Sequence, residues 1–346
     1  MLKKLLIFLL AAIMIVSICG CAKETVNEVE EPFVVVDEEA DPFYNFMMQN
    51  KNVRPIALMI DNDTNAARPQ MGLESAYLVY EMVVEGSATR FMALFKDHSL
   101  EKVGPVRSSR HYFLDYAMEN DAIYAHAGWS PKAMSDIKSL KINNINGVAG
   151  DSDIYWRDNT YDSTWHNLYT SLAKLSERAD KKEYRRTTDT ENLTYNKNDE
   201  VPNGEAVIEI DIPYAGFYKV KYVYDEATMR FVRYVNGNPH TSQTGENLST
   251  KNIIMYSVKN VNLQDGDNKG RQDLKNIGSG TGYYFSDGKV VEINWEKTAR
   301  DKTTKYTLKD GTPLVVNPGN TYIQIVPENV KTKITYKAVT EPTPTE

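Results

Sequence analysis

Across a polar segment, residues 189–204, the apolar pattern of this chain changes period. Upstream, short apolar runs alternate with helical spacing. Residues 56–60, 76–84, 90–96, 102–107 and 122–127 read as strands, the second and third joined across Glu85-Gly86-Ser87. Helices are expected over 108–119, over 131–140 behind a Ser130 cap with Pro131 at N1, and over 167–181 with Leu168, Leu172 and Leu175 on one face. Downstream, nine strand-like runs follow between 206 and 326, broken by the hairpin dipeptides Asn236-Gly237, Asp287-Gly288 and Asp310-Gly311. The expected fold class is therefore α+β: an N-terminal α/β domain over 53–188, a linker at 189–204, and a mostly antiparallel β-sheet domain over 205–330. The two domains should come apart when the linker is cut.

The N-terminus carries an address. Lys3 and Lys4 precede a twelve-residue apolar run, 5–16, and then Ser17-Ile18-Cys19-Gly20-Cys21. Twelve residues cover only about 18 Å as a helix, short of a roughly 30 Å hydrocarbon core, so the run reads as a signal peptide, residues 1–20. Ile18-Cys19-Gly20-Cys21 resembles the lipobox of bacterial lipoproteins, which makes Cys21 the acylated residue. These two are the only cysteines of the chain, so a mature protein beginning at Cys21 has no disulfide and no thiol chemistry. The implied location is the extracytoplasmic face of the cell membrane, held by a lipid anchor.

Charge narrows the partners. The net charge is −7, with 40 Lys and Arg against 47 Asp and Glu, which excludes nucleic acid as a partner because phosphate neutralisation needs clustered cations. Residues 22–41 hold eight acidic side chains against Lys23 alone, so 21–52 reads as an acidic tether that self-repels and stays extended. The Pro- and Thr-rich end, 331–346, reads as a disordered tail.

Candidate chemistry gathers at the strand ends of the first body. Asp61, Asn62, Arg68, Gln70, Arg90, Arg107, Ser108 and Arg110 could form one ligand-binding crevice outside strand C-termini. Arg107 and Arg110 stand where a strand is expected to become a helix, a place that suits an anion, with Ser108 as cap and donor. The alternative is that these arginines pair internally with Glu81, Glu85 and Asp61. For catalysis the candidates are Glu81 and Glu85, a possible carboxylate pair on one strand face, and His126 and His166 as acid or base. No GxSxG, HExxH, EF-hand or P-loop string occurs, and neither cofactor nor metal is called for. Gly278-Ser279-Gly280-Thr281-Gly282 precedes a strand, not a helix, and reads as a flexible connection.

One string goes further than spacing. Arg54-Pro55-Ile56-Ala57, Asp61-Asn62, Ala67-Arg68-Pro69-Gln70, Tyr80-Glu81, Glu85-Gly86, Thr89-Arg90-Phe91 and Gly104-Pro105-Val106-Arg107-Ser108-Ser109-Arg110 resemble the YerB-like lipoproteins of Gram-positive bacteria. The resemblance covers roughly 54–327, with Tyr222-Val223-Tyr224-Asp225 and Trp295-Glu296-Lys297 in the second part. Trp165-His166-Asn167 departs from the Pro-His-Asn of that family. What the resemblance implies is a surface-anchored protein with an α/β first part and a β-rich second part, and no established reaction. The leading expectation is a lipoprotein that binds an anionic cell-wall ligand or a protein partner. The alternative is an envelope phosphotransferase or hydrolase acting on phosphate-containing glycopolymers or lipid pyrophosphates.

Overall fold

The computed structural model describes residues 36–63, 65–266 and 269–338. The expected signal peptide, the lipobox string with Cys21 and residues 339–346 of the expected tail lie outside these residues. Strand β1 (Ile56–Asn62) is buried along its whole length, which is why its sequence is an apolar run and not an alternating one. Beside it lie β2 (Leu78–Val83), β3 (Thr89–Phe95), β4 (Ile123–His126) and β5 (Asn144–Asn146). The C-terminal part supplies β6 (Glu205–Ala215), β7 (Tyr218–Asp225), β8 (Arg230–Val235), β9 (Asn252–Val258), β10 (Gly278–Ser286), β11 (Lys289–Lys297) and β12 (Thr321–Pro327).

Four helices are present among the described residues: α1 (Pro42–Gln49), α2 (Phe113–Glu119), α3 (Pro131–Ser139) and α4 (Leu172–Lys181). Three are capped as their sequences direct. Asp41, Ser130 and Ser171 accept from the backbone N–H of Phe43, Ala133 and Lys174 at 2.7, 3.3 and 3.2 Å. Leu172, Leu175 and Ala179 of α4 face the core, whereas Leu168 sits in a short strand before the helix.

Both expected parts are there, an α/β N-terminal part and a mostly antiparallel C-terminal one. They share one sheet of sixteen strands, whose main path runs β8-β7-β6-β11-β10-β9-β12-β2-β3-β1-β4-β5. The join is parallel pairing of β12 with β2, with Leu78 opposite Thr321 and Glu81 opposite Gln324. A polar pair crosses the same seam: Lys297 of β11 donates to buried Glu119 of α2 at 2.6 Å, and Tyr80 donates to the other oxygen at 2.7 Å. Edge pairing and the core both run across 189–204, so the two parts expected on either side of it share one sheet.

Three boundaries also move. Thr194 and Tyr195 pair with Val315 and Val316, so the linker is tied down. The tether expected over 21–52 ends early: Asp41 N–H donates to Lys197 O at 3.1 Å, and Asn198 donates to Glu39 O at 3.0 Å. Within the expected tail, Lys333–Tyr336 forms a strand on β6.

Candidate functional site

Side chains alternate across a strand, so Asp61 and Asn62 at the end of β1 must face opposite ways. Their partners on β3 divide likewise, Asp61 opposite Arg90 and Asn62 opposite Thr89. The single crevice expected from the sequence is thereby split across the two faces of the sheet.

On the Asn62 face the groups are spent on one another. Buried Glu81 accepts from Thr89 at 2.8 Å, Tyr218 at 2.8 Å and Arg233 at 3.0 Å, and its second oxygen lies 2.9 Å from the same Arg233 nitrogen, off the hydrogen-bond axis. Arg68 donates to Asn62 at 2.8 Å, and Gln70 bridges Asp61 O and His240 at 2.9 and 2.7 Å. Arg233 and His240 were not singled out from the sequence; an Arg on an alternating strand gives no signal of burial. In this cluster Asn62, Gln70, Glu81, Arg233 and His240 are buried.

On the Asp61 face the arrangement differs. Residues 104–110 run antiparallel to β1, with Asp61 N–H donating to Pro105 O at 2.8 Å and Arg107 N–H to Met59 O at 3.0 Å. Gly104 lets this segment close on residues 168 and 169 on its other side: at φ +146°, an added Cβ would lie 3.0 Å from Leu168 O and the Tyr169 ring. The result sets Arg107 Nε 2.9 Å and His166 Nδ1 2.7 Å from the same Oδ2 of Asp61, a residue with 0% exposure. Burial would raise the Asp61 pKa, but the His166 hydrogen bond and the fields of Arg107 and Arg90 hold it below the usual carboxylate range. His166 is pushed up, first by its hydrogen bond to Asp61, against partial desolvation.

The outer halves of both side chains make no hydrogen bond among the described residues, and Arg107 keeps one long ion pair there. Arg107 Nη2 lies 4.0 Å from Asp63, and neither Arg107 terminal nitrogen nor His166 Nε2 has a hydrogen bond among the described residues. The loop carrying His166 is braced by Asp162, which accepts from the N–H of Thr164 and His166 at 2.9 Å each. Beside it Trp165 stands 71% exposed.

The remaining candidates fall elsewhere. Arg110 grips Glu85 with two donors, Nε at 2.6 Å and Nη2 at 2.7 Å, the internal pair among the sequence alternatives. Arg90 is buried, donates to Ser108 O at 2.7 Å, and has its pKa lowered to about 10 by desolvation and the nearby Arg110 charge. Ser108 is not a helix cap. Helix α2 begins five residues later, because Ser109 N–H is taken by Gly128 O at 2.9 Å and Ser109 O by Ser130 N–H at 3.1 Å. Ser108, Arg110 and Glu85 line a cleft of ≈ 420 Å³ with Trp129, Lys269 and Arg271.

Glu81 and Glu85 form no carboxylate pair. The strand stops at Val83 and the chain turns at Glu85–Ser87, which carries Glu85 away from the face of Glu81. His126 is fully buried, contacts Gly128 O at 2.8 Å and Asn144 at 3.3 Å, and is held down to about 4 by desolvation; it is a packing residue, not an acid or base in reach of a ligand.

Comparison with known proteins fits this architecture. Residues 46–185 match the N-terminal domain, and 210–323 the C-terminal domain, described as "Protein of unknown function (DUF3048)". This chain belongs to the DUF3048 family. It is 33% identical over 278 residues to a Bacillus subtilis (strain 168) protein named "Putative lipoprotein YerB", covering 80% of this chain and 82% of that one. The crystal structure of YerB protein from Bacillus subtilis superposes with a TM-score of 0.72 at 31% identity, over 82% of this chain and 95% of that chain. The YerB-like resemblance read from the sequence is thus a family relationship, and the fold is shared with it.

Proposed function

We propose that this DUF3048 member is a lipid-anchored protein of the extracytoplasmic membrane face that binds a phosphate-bearing envelope ligand through Arg107 and His166. One observation carries the reading: a buried carboxylate holds an arginine and a histidine side by side while their outer donors make no hydrogen bond among the described residues. Asp61 orients both groups and keeps His166 protonated at higher pH than a free imidazole. Arg107 then supplies a fork for two oxygens, and His166 a third donor at the same edge. An anchor at Cys21 keeps the protein at the membrane surface.

A catalytic reading has its own support. Nδ1 of His166 is fixed on Asp61 and Nε2 faces outward, the arrangement by which an imidazole gives a proton to a leaving oxygen. A lipid pyrophosphate or phosphodiester would then be substrate and not merely ligand. The test uses soluble Cys21→Ala protein and inorganic pyrophosphate. Titration calorimetry should show binding that Arg107→Gln weakens by about 10-fold or more, the loss of charged hydrogen bonds. Unchanged affinity in Arg107→Gln would refute the site. Hydrolysis of a phosphodiester, in which water adds to phosphorus and one P–O ester bond breaks to give an alcohol and a phosphomonoester, lost in His166→Gln while pyrophosphate binding stays measurable, would make it an enzyme.

A further inference from the structure

A second site lies away from Asp61, where two segments expected to be free chain meet. Helix α1 packs its Tyr44, Met47 and Met48 toward the start of β2, and residues 190–195 close over the gap. Between them is a cavity of ≈ 200 Å³. A dry cavity of about 150 Å³ holds a benzene ring, so this one takes a ring or branched chain of roughly six to eight heavy atoms.

Its walls mix apolar groups with polar ones, and Asn192 stands out among the polar. Asn192 lines the cavity, and both its Nδ2 and its Oδ1 are buried with no hydrogen-bond partner. Tyr195, which lines it too, also has a buried hydroxyl without a partner. Leaving a buried donor and acceptor unmade costs about 1 to 3 kcal/mol each, so an unfilled carboxamide is an expensive feature for a protein interior. Of the charged groups on the wall, Lys51 and Glu191 are exposed and of opposite sign, and Lys96 Nζ is spent on three carbonyls, donating to Asn50 O, Lys51 O and Val53 O at 2.6, 2.9 and 3.0 Å. A neutral group with a donor and an acceptor side by side would meet Asn192 on both atoms.

We propose that this cavity binds a small neutral amide, its N–H and C=O paired with the Asn192 carboxamide and its hydrocarbon part held between Met47, Met48 and Tyr44. Two sources share this chemistry, a free lactam or carboxamide and the amide side chain of a peptide. Neither involves Arg107 or His166, so the site stands or falls separately from the anion site.

The experiment is chemical-shift mapping of the full folded body with 2-piperidone, a six-membered lactam, and in a second arm with N-acetylglutaminamide. Shifts should concentrate on α1 and residues 190–195. N-methyl-2-piperidone, which keeps the shape and loses the N–H, should bind at least about 10-fold more weakly. Asn192→Leu should abolish the preference for the N–H form while melting no lower than wild type. Stronger binding in the second arm assigns the site to a peptide side chain; stronger binding in the first assigns it to a free amide. No binding of either probe, equal binding of the methylated and unmethylated lactams, or shifts elsewhere on the protein would overturn the proposal. The methylated probe works on wild-type protein, so the outcome does not depend on the variant folding.

Discussion

Replacing Arg107 or Arg110 by Gln, three positions apart on one strand-like segment, should produce opposite phenotypes. Arg110 gives Glu85 two short charged hydrogen bonds, and when they go that carboxylate keeps only the more distant charges of Arg90 and of Arg271, 3.9 Å away, among the described residues. At about 1.5 to 3 kcal/mol per charged bond, discounted because the two share one acceptor, Arg110→Gln should cost about 3 kcal/mol. Arg107 is different. Its side chain is 25% exposed, and without it Asp61 keeps His166 and accepts from Asp63 N–H at 3.2 Å, so Arg107→Gln should cost about 1 kcal/mol. At roughly 2 to 4 °C per kcal/mol for a body of this class, differential scanning calorimetry should find Arg110→Gln melting about 6 to 12 °C lower and Arg107→Gln only about 2 to 4 °C lower. With pyrophosphate the order reverses: wild type and Arg110→Gln should gain stability, and Arg107→Gln should gain none. Equal destabilisation by the two changes would refute the assignment of Arg110 to structure. A full pyrophosphate shift in Arg107→Gln would refute the assignment of Arg107 to the ligand.

Other consequences are open to direct measurement. Because the folded pKa of His166 is raised, its contribution to stability is complete below about pH 6.5 and fades as pH rises through the folded value. Urea unfolding should therefore separate wild type from His166→Gln more at about pH 5.5 than at about pH 8.5, and a reversed order would contradict the Asp61 contact. Arg233→Met should strip Glu81 of its buried cation and cost about 3 to 5 kcal/mol in urea unfolding, while Glu81→Leu combined with it should recover most of the loss. A fragment of residues 37–188 should aggregate instead of folding, since without β12 the edge of β2 is bare; a monomeric fragment with a cooperative melt would show that the halves are independent after all. Cys21→Ala should move the protein from the membrane fraction to the soluble fraction, and unchanged retention would exclude the lipid anchor.

Much of the local structure was legible from residue order alone. Strands buried on both faces show as apolar runs, as in β1, and a helix beginning at Ser130-Pro131 carries its own cap. The same reading erred where a backbone group found a distant partner. Helix α2 does not start at 108, because Ser109 spends its N–H and C=O on Gly128 and Ser130, which no periodicity reports. Residues 37–52 and 189–204 looked like free chain because they are polar, yet they hold each other through Lys197 and Asn198 and wall a cavity together.

The candidate site shows the same division. Its residue types were evident at the ends of strands, since Asp, Arg and His cannot stay inside a core without partners and so cluster where the sheet stops. Their allegiance was not evident, because Asp61 and Asn62 are separated by the pleat, Arg107 and Arg110 by which carboxylate lies opposite each, and Glu81 meets Arg233 across 152 positions of chain. Local sequence determined most of the elements, the caps and the turns, all of which depend on neighbours within a few residues. Only the tertiary structure decided that one sheet runs through both halves and that Asp61 holds Arg107 and His166 together, because such pairings are chosen by which surfaces meet once the chain has closed on itself.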